Sequence, residues 1–269
     1  MAQQEPYTTA LLDRSLATSP ADIGSASSFS DRVAWLVDKI ECKLADSGDQ
    51  REAIFRLRYR AYMREGAISR NNCGTFSDPY DKKGNVFLFG FYIDGELASS
   101  IRVHVASKEH PEFTSLEVFS DFLRPELDAG KVIVDTTRFV TDENFSRLYR
   151  ALPYATMRVA GMACEYFSAD LLLAAVRTEH QAFYRRVFHH QLICEARPYP
   201  GLTKPLSLMT VHYPTFVDRV HQRYPFFRST LVEQQTLFAR HQQGGSPPAA
   251  VDDAPPAETL MGLIGSDSD

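Results

Sequence analysis

The sequence is poor in the features that announce several common protein classes. Its four cysteines, Cys42, Cys73, Cys164 and Cys194, form no Cys-x-x-Cys pair and no Cys/His cluster at metal-ligand spacing. That argues against a zinc site and a redox dithiol and implies reduced, mostly buried thiols, with no metal and no tightly held cofactor expected. No apolar run approaches the ~20 residues a bilayer span requires, and no basic segment leads into an apolar one at the N-terminus. Neither secretion nor membrane spanning is expected; a cytoplasmic protein is. Positive charge is not in excess, since 29 Lys and Arg stand against 34 Asp and Glu for a net charge of -5. Nucleic acid, which needs a concentrated positive field, is not an expected partner. There is no Gly-x-Ser-x-Gly turn for a hydrolase nucleophile, and His189-His190 lacks a third ligand at helical spacing. Those histidines read as surface residues at a helix end.

What is present suits one enzyme-sized domain. A chain of 269 residues with 44% hydrophobic residues can bury a good core over about residues 29–241. Residues 1–28, rich in Ser, Ala, Thr and Gln, and 242–269, with Gly-Gly-Ser-Pro-Pro and a second Pro-Pro, read as disordered tails. The second tail carries an apolar island, Leu260 to Ile264, among acids. Between the tails, periodicity predicts a strand at Glu41–Ala45, a helix over 50–65 stopped by Gly66, and strands Val86–Ile93 and Leu97–Ala106 joined by Asp94-Gly95. A strand at Lys131–Val140, a helix Leu152–Phe167, a strand Asp170–Val176 and a helix Glu179–Phe188 follow, then strands at 191–198 and 206–213. This order implies a mixed α/β domain.

Several charged residues stand where the pattern expects apolar ones. Arg58 is in register with Ile54 and Leu57 on the inner side of the first helix, where a guanidinium needs a partner. Arg102 shares a strand face with Ala98, Ser100 and His104, which is either open to water or lines a polar site. Asp135 and Arg138 are three apart in a strand, so they reach one cleft only if a bulge intervenes between Thr136 and Val140. Arg56, Arg60 and Arg64 share one helical face, which repels itself unless acids such as Glu52 and Glu65 answer it.

The set Phe55 to Tyr62, Asp78 with Asp81, Ser100-Ile-Arg102, and Asp135 to Phe139 resembles the N-acyl amino acid synthases of the FeeM type and their relatives, the acyl-homoserine lactone synthases. Both belong to the GNAT superfold, and the resemblance covers roughly residues 33–213. It implies a central mixed, mostly antiparallel sheet flanked by helices, and an acyltransferase. It also implies substrate-binding positions at Arg58, Tyr62, Asp78, Asp81, Arg102 and Phe139, although a purely structural Arg–Asp network would give the same sequence. Tyr184 lies in the segment resembling the superfold's helix after strand five, where Val187 replaces the usual Gly.

Asp142 to Tyr154 contains no glycine, whereas coenzyme-A-dependent members use a glycine turn there to surround a pyrophosphate. The resemblance therefore implies an acyl carrier protein as donor, in preference to acyl-CoA. Such carriers are acidic, and Arg56, Arg60, Arg64 and Arg150 are the candidate docking residues, with an ordinary solvated face as the alternative. Amide formation from a thioester requires a base, an oxyanion donor and an acid for the thiolate. Asp135 is the candidate base, although the lactone synthases commonly have Glu there; the amides around Thr136 to Val140 are the oxyanion donors and Tyr184 the acid. Arg102 or Arg138 suits an amino acid's carboxylate, and a phenylalanine-rich interior suits a long acyl chain. The other readings are a lactone synthase using S-adenosylmethionine, disfavoured because the only Trp, Trp35, precedes the first helix of the motif, a CoA-dependent acetyltransferase, and a non-catalytic acyl-carrier-binding module.

Overall fold

A computed structural model of the chain describes residues 28–239. The expected tails, apart from Ser28, and the apolar island at 260–264 lie outside the described residues. The elements run α1 (Phe29–Lys39), β1 (Glu41–Leu44), α2 (Gly48–Arg64), a 3-10 turn (Pro79–Lys82), β2 (Val86–Ile93), β3 (Glu96–Ala106), α3 (Thr114–Val118), α4 (Ser120–Asp128) and β4 (Ile133–Thr141). They continue with α5 (Glu143–Leu148), α6 (Leu152–Tyr166), β5 (Leu171–Val176), α7 (Gln181–Phe188), β6 (Gln191–Arg197), β7 (Leu206–His212), α8 (Tyr213–Arg223) and α9 (Leu231–Phe238). The strands expected from the sequence are all there. The stretch from Val33 to Lys39, ahead of β1, whose pattern fits either helix or strand, belongs to helix α1; the short helices α3, α4 and α5, and the helices α8 and α9, are additions to the expectation.

Local chemistry fixes the boundaries. Ser28 with Asp31 and Ser47 with Gln50 make reciprocal capping boxes at the starts of α1 and α2, satisfying amides that a helix leaves unpaired. Gly66, at φ 60°, ends α2 as expected. Asp94 and Gly95 both take positive φ, 50° and 81°, which gives the tight hairpin between β2 and β3 the twist its strands need.

The seven strands form one sheet in the order β1-β2-β3-β4-β5-β7-β6. Every neighbouring pair is antiparallel except β4 with β5, which is parallel. Alternation then sorts the core onto two faces. Val134, Leu172 and Met209 pack with α1, α6 and the C-terminal helices, including a Phe87–Phe89–Phe167–Phe238 cluster. Ile133, Leu173 and Leu208 pack with Phe113, Phe119 and Tyr199 on the other side, where α2 also covers Val140 through Leu57 and Ala61.

Two expectations are corrected. His190 is buried, not a surface residue, because His189 takes a left-handed conformation (φ 55°) that turns the chain back inward. Burial pushes its imidazole down to about 3, so it is neutral. The thiols are not mostly buried: Cys164 is, Cys42 and Cys194 are half-buried, and Cys73 is exposed.

Candidate active site

The parallel pair β4 and β5 stays together only from Ile133↔Leu171 to Thr136↔Ala174. Beyond Thr136 the two strands part, leaving the β5-facing edge of β4 without a strand partner. A cleft of about 460 Å³ fills the gap, within the usual range for small-molecule sites. Its walls are Thr136 to Thr141 of β4, Ala175 and Val176 of β5, Ala61 and Tyr62 of α2, Pro153 and Tyr154 of α6, and Phe183 and Tyr184 of α7. Glu65, Arg177, His180 and Lys204 also line it, and Glu65 is held by Arg177.

β4 carries one extra residue in this stretch, since Ser100 opposes Val140 while Arg102 opposes Thr137. The bulge expected from the Asp135–Arg138 spacing is therefore present, and Arg138 takes φ 55° to make it. A left-handed arginine is strained and needs outside support. Its Nε and Nη2 donate to Asp78 Oδ2 at 3.1 and 2.8 Å, and Nη2 also to the Pro200 carbonyl at 3.2 Å. The guanidinium lies 4.8 Å from the Phe76 ring centre. Nη1 has no hydrogen-bond partner among the described residues.

Asp78 is itself anchored. Its other oxygen accepts from Arg102 Nη1 at 2.6 Å, and its Oδ1 caps the 3-10 turn by accepting from the Tyr80 amide. Asp81, three residues on, accepts from Arg58 Nη1 at 2.8 and 3.0 Å, lies 3.1 Å from Arg102, and accepts from the Asp78 amide. Arg102 completes its donors with Thr137 at 3.0 Å and Thr114 at 2.8 Å. Burial raises both carboxyls, but the guanidiniums outweigh it and hold Asp78 and Asp81 below the usual carboxylate range. His104, on the same strand face as Arg102, is pushed down to about 3 by burial and by Arg102. That face is thus neither open to water nor part of the cleft wall; it is a buried polar layer.

The remaining carboxylate, Asp135, is fully buried and does not line the cleft. Neither of its oxygens has a partner of ordinary hydrogen-bond geometry, yet Ser115 lies close enough for its hydroxyl and amide to favour the charged form. Burial dominates over Ser115, Arg102 and Arg138, and raises the carboxyl to about 6.

The expected positions therefore separate. Tyr62, Arg138, Phe139 and Tyr184 meet at the cleft. Arg58, Asp78, Asp81 and Arg102 do not line it; they form the network that holds Arg138. Arg56, Arg60, Arg64 and Arg150 stand on the surface. Glu52 answers Arg56 at 2.5 Å, while Asp142 and Glu143 stand 3.8 and 3.9 Å from Arg60 and Arg64. Glu65, expected to share in this, faces Arg177 instead. No cluster of side chains able to hold a metal ion occurs among the described residues.

Over residues 53–212 the chain matches the family model described as N-acyl amino acid synthase FeeM, more than half its length. The chain belongs to the FeeM family of N-acyl amino acid synthases. Its fold is the GNAT-like acyltransferase fold. The structure of FeeM, an N-acyl amino acid synthase from uncultured soil microbes, superposes with a TM-score of 0.56 at 14% identity, covering 70% of this chain and 97% of that one. BjaI, a CoA-dependent acyl-homoserine lactone synthase, gives 0.48 at 17% identity (70% and 89% covered). An acyl-CoA N-acyltransferase from Pseudomonas aeruginosa gives 0.44 at 18% (64% and 97%). No curated protein matches the chain in sequence.

This FeeM-family acyltransferase also contains site residues that sequence reasoning missed. Tyr199, in the β6–β7 connection, lines the cleft, stands 5.9 Å from the Arg138 guanidinium, and places its hydroxyl 3.3 Å from Ser115 Oγ. Thr114 and Thr137 engage Arg102. The Tyr-Pro-Gly run at 199–201 was the one sequence signal, a turn beside an aromatic, and it says nothing of what the turn approaches.

Proposed function

We propose that this acyltransferase moves a long-chain fatty acyl group from the thioester of an acyl carrier protein to the amine of an amino acid, releasing an N-acyl amino acid and the carrier thiol. The observation that carries the reading is the cleft itself. It is apolar along its Ala, Val, Tyr and Phe walls, it opens where β4 loses its strand partner, and the buried Arg138, whose Nη1 has no hydrogen-bond partner among the described residues, is one of its lining residues. The unpaired β4 edge at the Arg138 bulge offers N–H groups to the thioester carbonyl, whose oxygen gains charge on attack. Arg138 Nη1 suits the acceptor's carboxylate better than Arg102, which is enclosed. Tyr184 stands in the same cleft as the acid for the departing thiolate, and Asp135, one layer behind, is the base.

The donor is argued from the start of α6. In a coenzyme A site the amides of such a helix end receive the pyrophosphate. Here the Leu152 amide donates to Tyr149 O at 2.9 Å, the Tyr154 amide to Ala151 O at 3.0 Å, and Pro153 has none. A phosphopantetheine arm presented by a carrier needs no such cradle. Arg60 and Arg64 flank the cleft wall on α2, and Arg150 precedes the wall on α6, so a carrier docked on them would face the opening.

Purified protein given equal amounts of acyl-carrier and acyl-CoA of one chain length, with a mixture of amino acids, tests this by mass spectrometry. N-acyl amino acids formed from the carrier thioester are expected. Product from acyl-CoA alone would overturn the donor, and no acylated amine from either would overturn the reaction.

A further inference from the structure

Asp135 is enclosed with two unpartnered oxygens, although the next residue, Thr136, forms part of the cleft wall. No substrate amine can touch it. Ser115, on α3, stands beside it, and Ser115 Oγ is 3.3 Å from the Tyr199 hydroxyl, which belongs to a cleft-lining side chain. Tyr199 and Ser115 share one hydrogen bond, and Ser115 stands beside the carboxylate without one, so closing the Ser115–Asp135 contact completes a line of groups each able both to donate and to accept a proton. Building on the function proposed above, we propose that Tyr199 is a catalytic residue that takes the acceptor amine's proton and hands it through Ser115 to Asp135.

The amine lone pair forms the C–N bond, and the thioester π pair moves onto the carbonyl oxygen. As an N–H proton of the resulting ammonium goes to Tyr199 Oη, the phenol proton moves to Ser115 Oγ and the serine proton to the Asp135 carboxylate. No tyrosinate accumulates, which matters because burial and the nearby Asp135 charge hold the Tyr199 phenol well above its ordinary value. Collapse of the intermediate restores the C=O, breaks C–S, and the sulfur leaves with its pair, protonated by Tyr184. After release, Asp135 returns its proton through the same chain, and Tyr184 regains one from solvent.

The groups facing Asp135 suit a terminal acceptor. Arg102 and neutral His104 face it from β3, Arg138 from β4, Ser115 from α3 and Tyr199 from the β6–β7 connection. The two guanidiniums favour the carboxylate while burial opposes it, and a value near 6 lets the group take a proton around neutral pH. A merely structural bond, fastening the β6–β7 connection to α3, would leave the chemistry unaffected.

The experiment compares kcat, donor KM and the pH profile of wild type, Tyr199→Phe, Asp135→Asn and the double variant, using an acyl-loaded carrier and an amino acid that wild type acylates. Tyr199→Phe keeps the ring and removes one hydroxyl. Its kcat is expected to fall about 100-fold or more, with donor KM within about threefold, the acid limb set by Asp135 gone, and the double variant no worse than either single. A Tyr199→Phe kcat within about threefold of wild type, or losses that multiply in the double variant, would overturn the relay. Should Tyr199→Phe not fold, Ser115→Ala decides: a kcat loss of about tenfold or more supports the relay and an unchanged kcat ends it. If wild type acylates no amino acid, the functional reading fails and the relay with it. If wild type works and Tyr199→Phe is indifferent, the relay fails alone.

Discussion

Helix α2 carries two kinds of arginine, and the contrast between them explains much of the site. Arg58 is completely buried, bound twice to Asp81, and continuous through Arg102 and Asp78 with the strained Arg138. Arg56, Arg60 and Arg64, one turn apart on the opposite face, are solvated; Arg56 donates to Glu52 through two nitrogens, while Arg60 and Arg64 meet their acids in single contacts of 3.8 and 3.9 Å. The residue type is the same; the dielectric differs. Inside, a guanidinium cannot be left alone and becomes a constraint on its neighbours' positions. Outside, it is an adaptable charge whose value lies in what it attracts.

The largest expected effect comes from breaking the inner set. Arg58→Met fits the volume but leaves the Asp81 carboxylate with Arg102 as its one ionic partner, and removing one member of a buried pair costs roughly 3–5 kcal/mol. Urea unfolding should show that loss. Activity per folded molecule should fall as well, because Asp81 holds the Asp78 amide and Asp78 holds the bulge. Full activity in the folded fraction would show that Arg138 keeps its place without the network.

A second test separates carboxylates within the inner region. Asp78 has a folded pKa below its unfolded value of roughly 3.9, so its contribution is present above pH 4 and is lost as pH falls towards the folded value. Asp135 runs the other way. Its folded pKa, about 6, lies above the unfolded one, so the stability it gives at low pH is lost as pH rises through 6. Asp135→Asn should therefore gain stability relative to wild type on going from pH 4 to pH 8, by up to about 3 kcal/mol for two units, while losing activity. Asp78→Asn should lose stability at pH 8 and approach wild type only in strong acid. Melting temperatures across that pH range check both, and a pH-independent Asp135→Asn difference would show that the buried carboxyl does not titrate as described.

Much of the inner region could be read from the chain because its constraints are local. Arg58 in register with Ile54 and Leu57 already required a buried partner, and the three-residue gap from Asp135 to Arg138 pointed to a bulge if both were to reach one cleft; the bulge is there, and Arg138 alone of the two lines the cleft. What was not legible is carried by long-range approach. Ser115 and Tyr199 are separated by 84 positions, and nothing in either neighbourhood names the other. Helices α3 and α4 hold five and nine residues, the latter with Pro125 inside, too short and interrupted for a 3.6-residue period to show. The same limit applied to direct substrate contact at Arg102: alternation gave its face, and only the packing of the 3-10 turn and α3 over that face showed that it is sealed.

The smallest expected effect sharpens the outer half of the comparison. Arg60→Glu combined with Arg64→Glu should change unfolding stability by less than about 1 kcal/mol, since the contacts removed are exposed and 3.8–3.9 Å long. If these arginines receive an acidic carrier, reversing them beside Asp142 and Glu143 should raise KM for the acyl-carrier donor by about tenfold with kcat unchanged, a difference of roughly 1.4 kcal/mol in encounter and docking. The same variant should use an acyl-pantetheine thioester, which has no carrier to dock, as wild type does. Near 1 M salt, where the screening length shrinks to about 3 Å, the two proteins should converge on the carrier donor too. A KM change that persists undiminished in high salt would mean that the arginines shape the α2 wall of the cleft, and the division between an inner and an outer set would no longer hold.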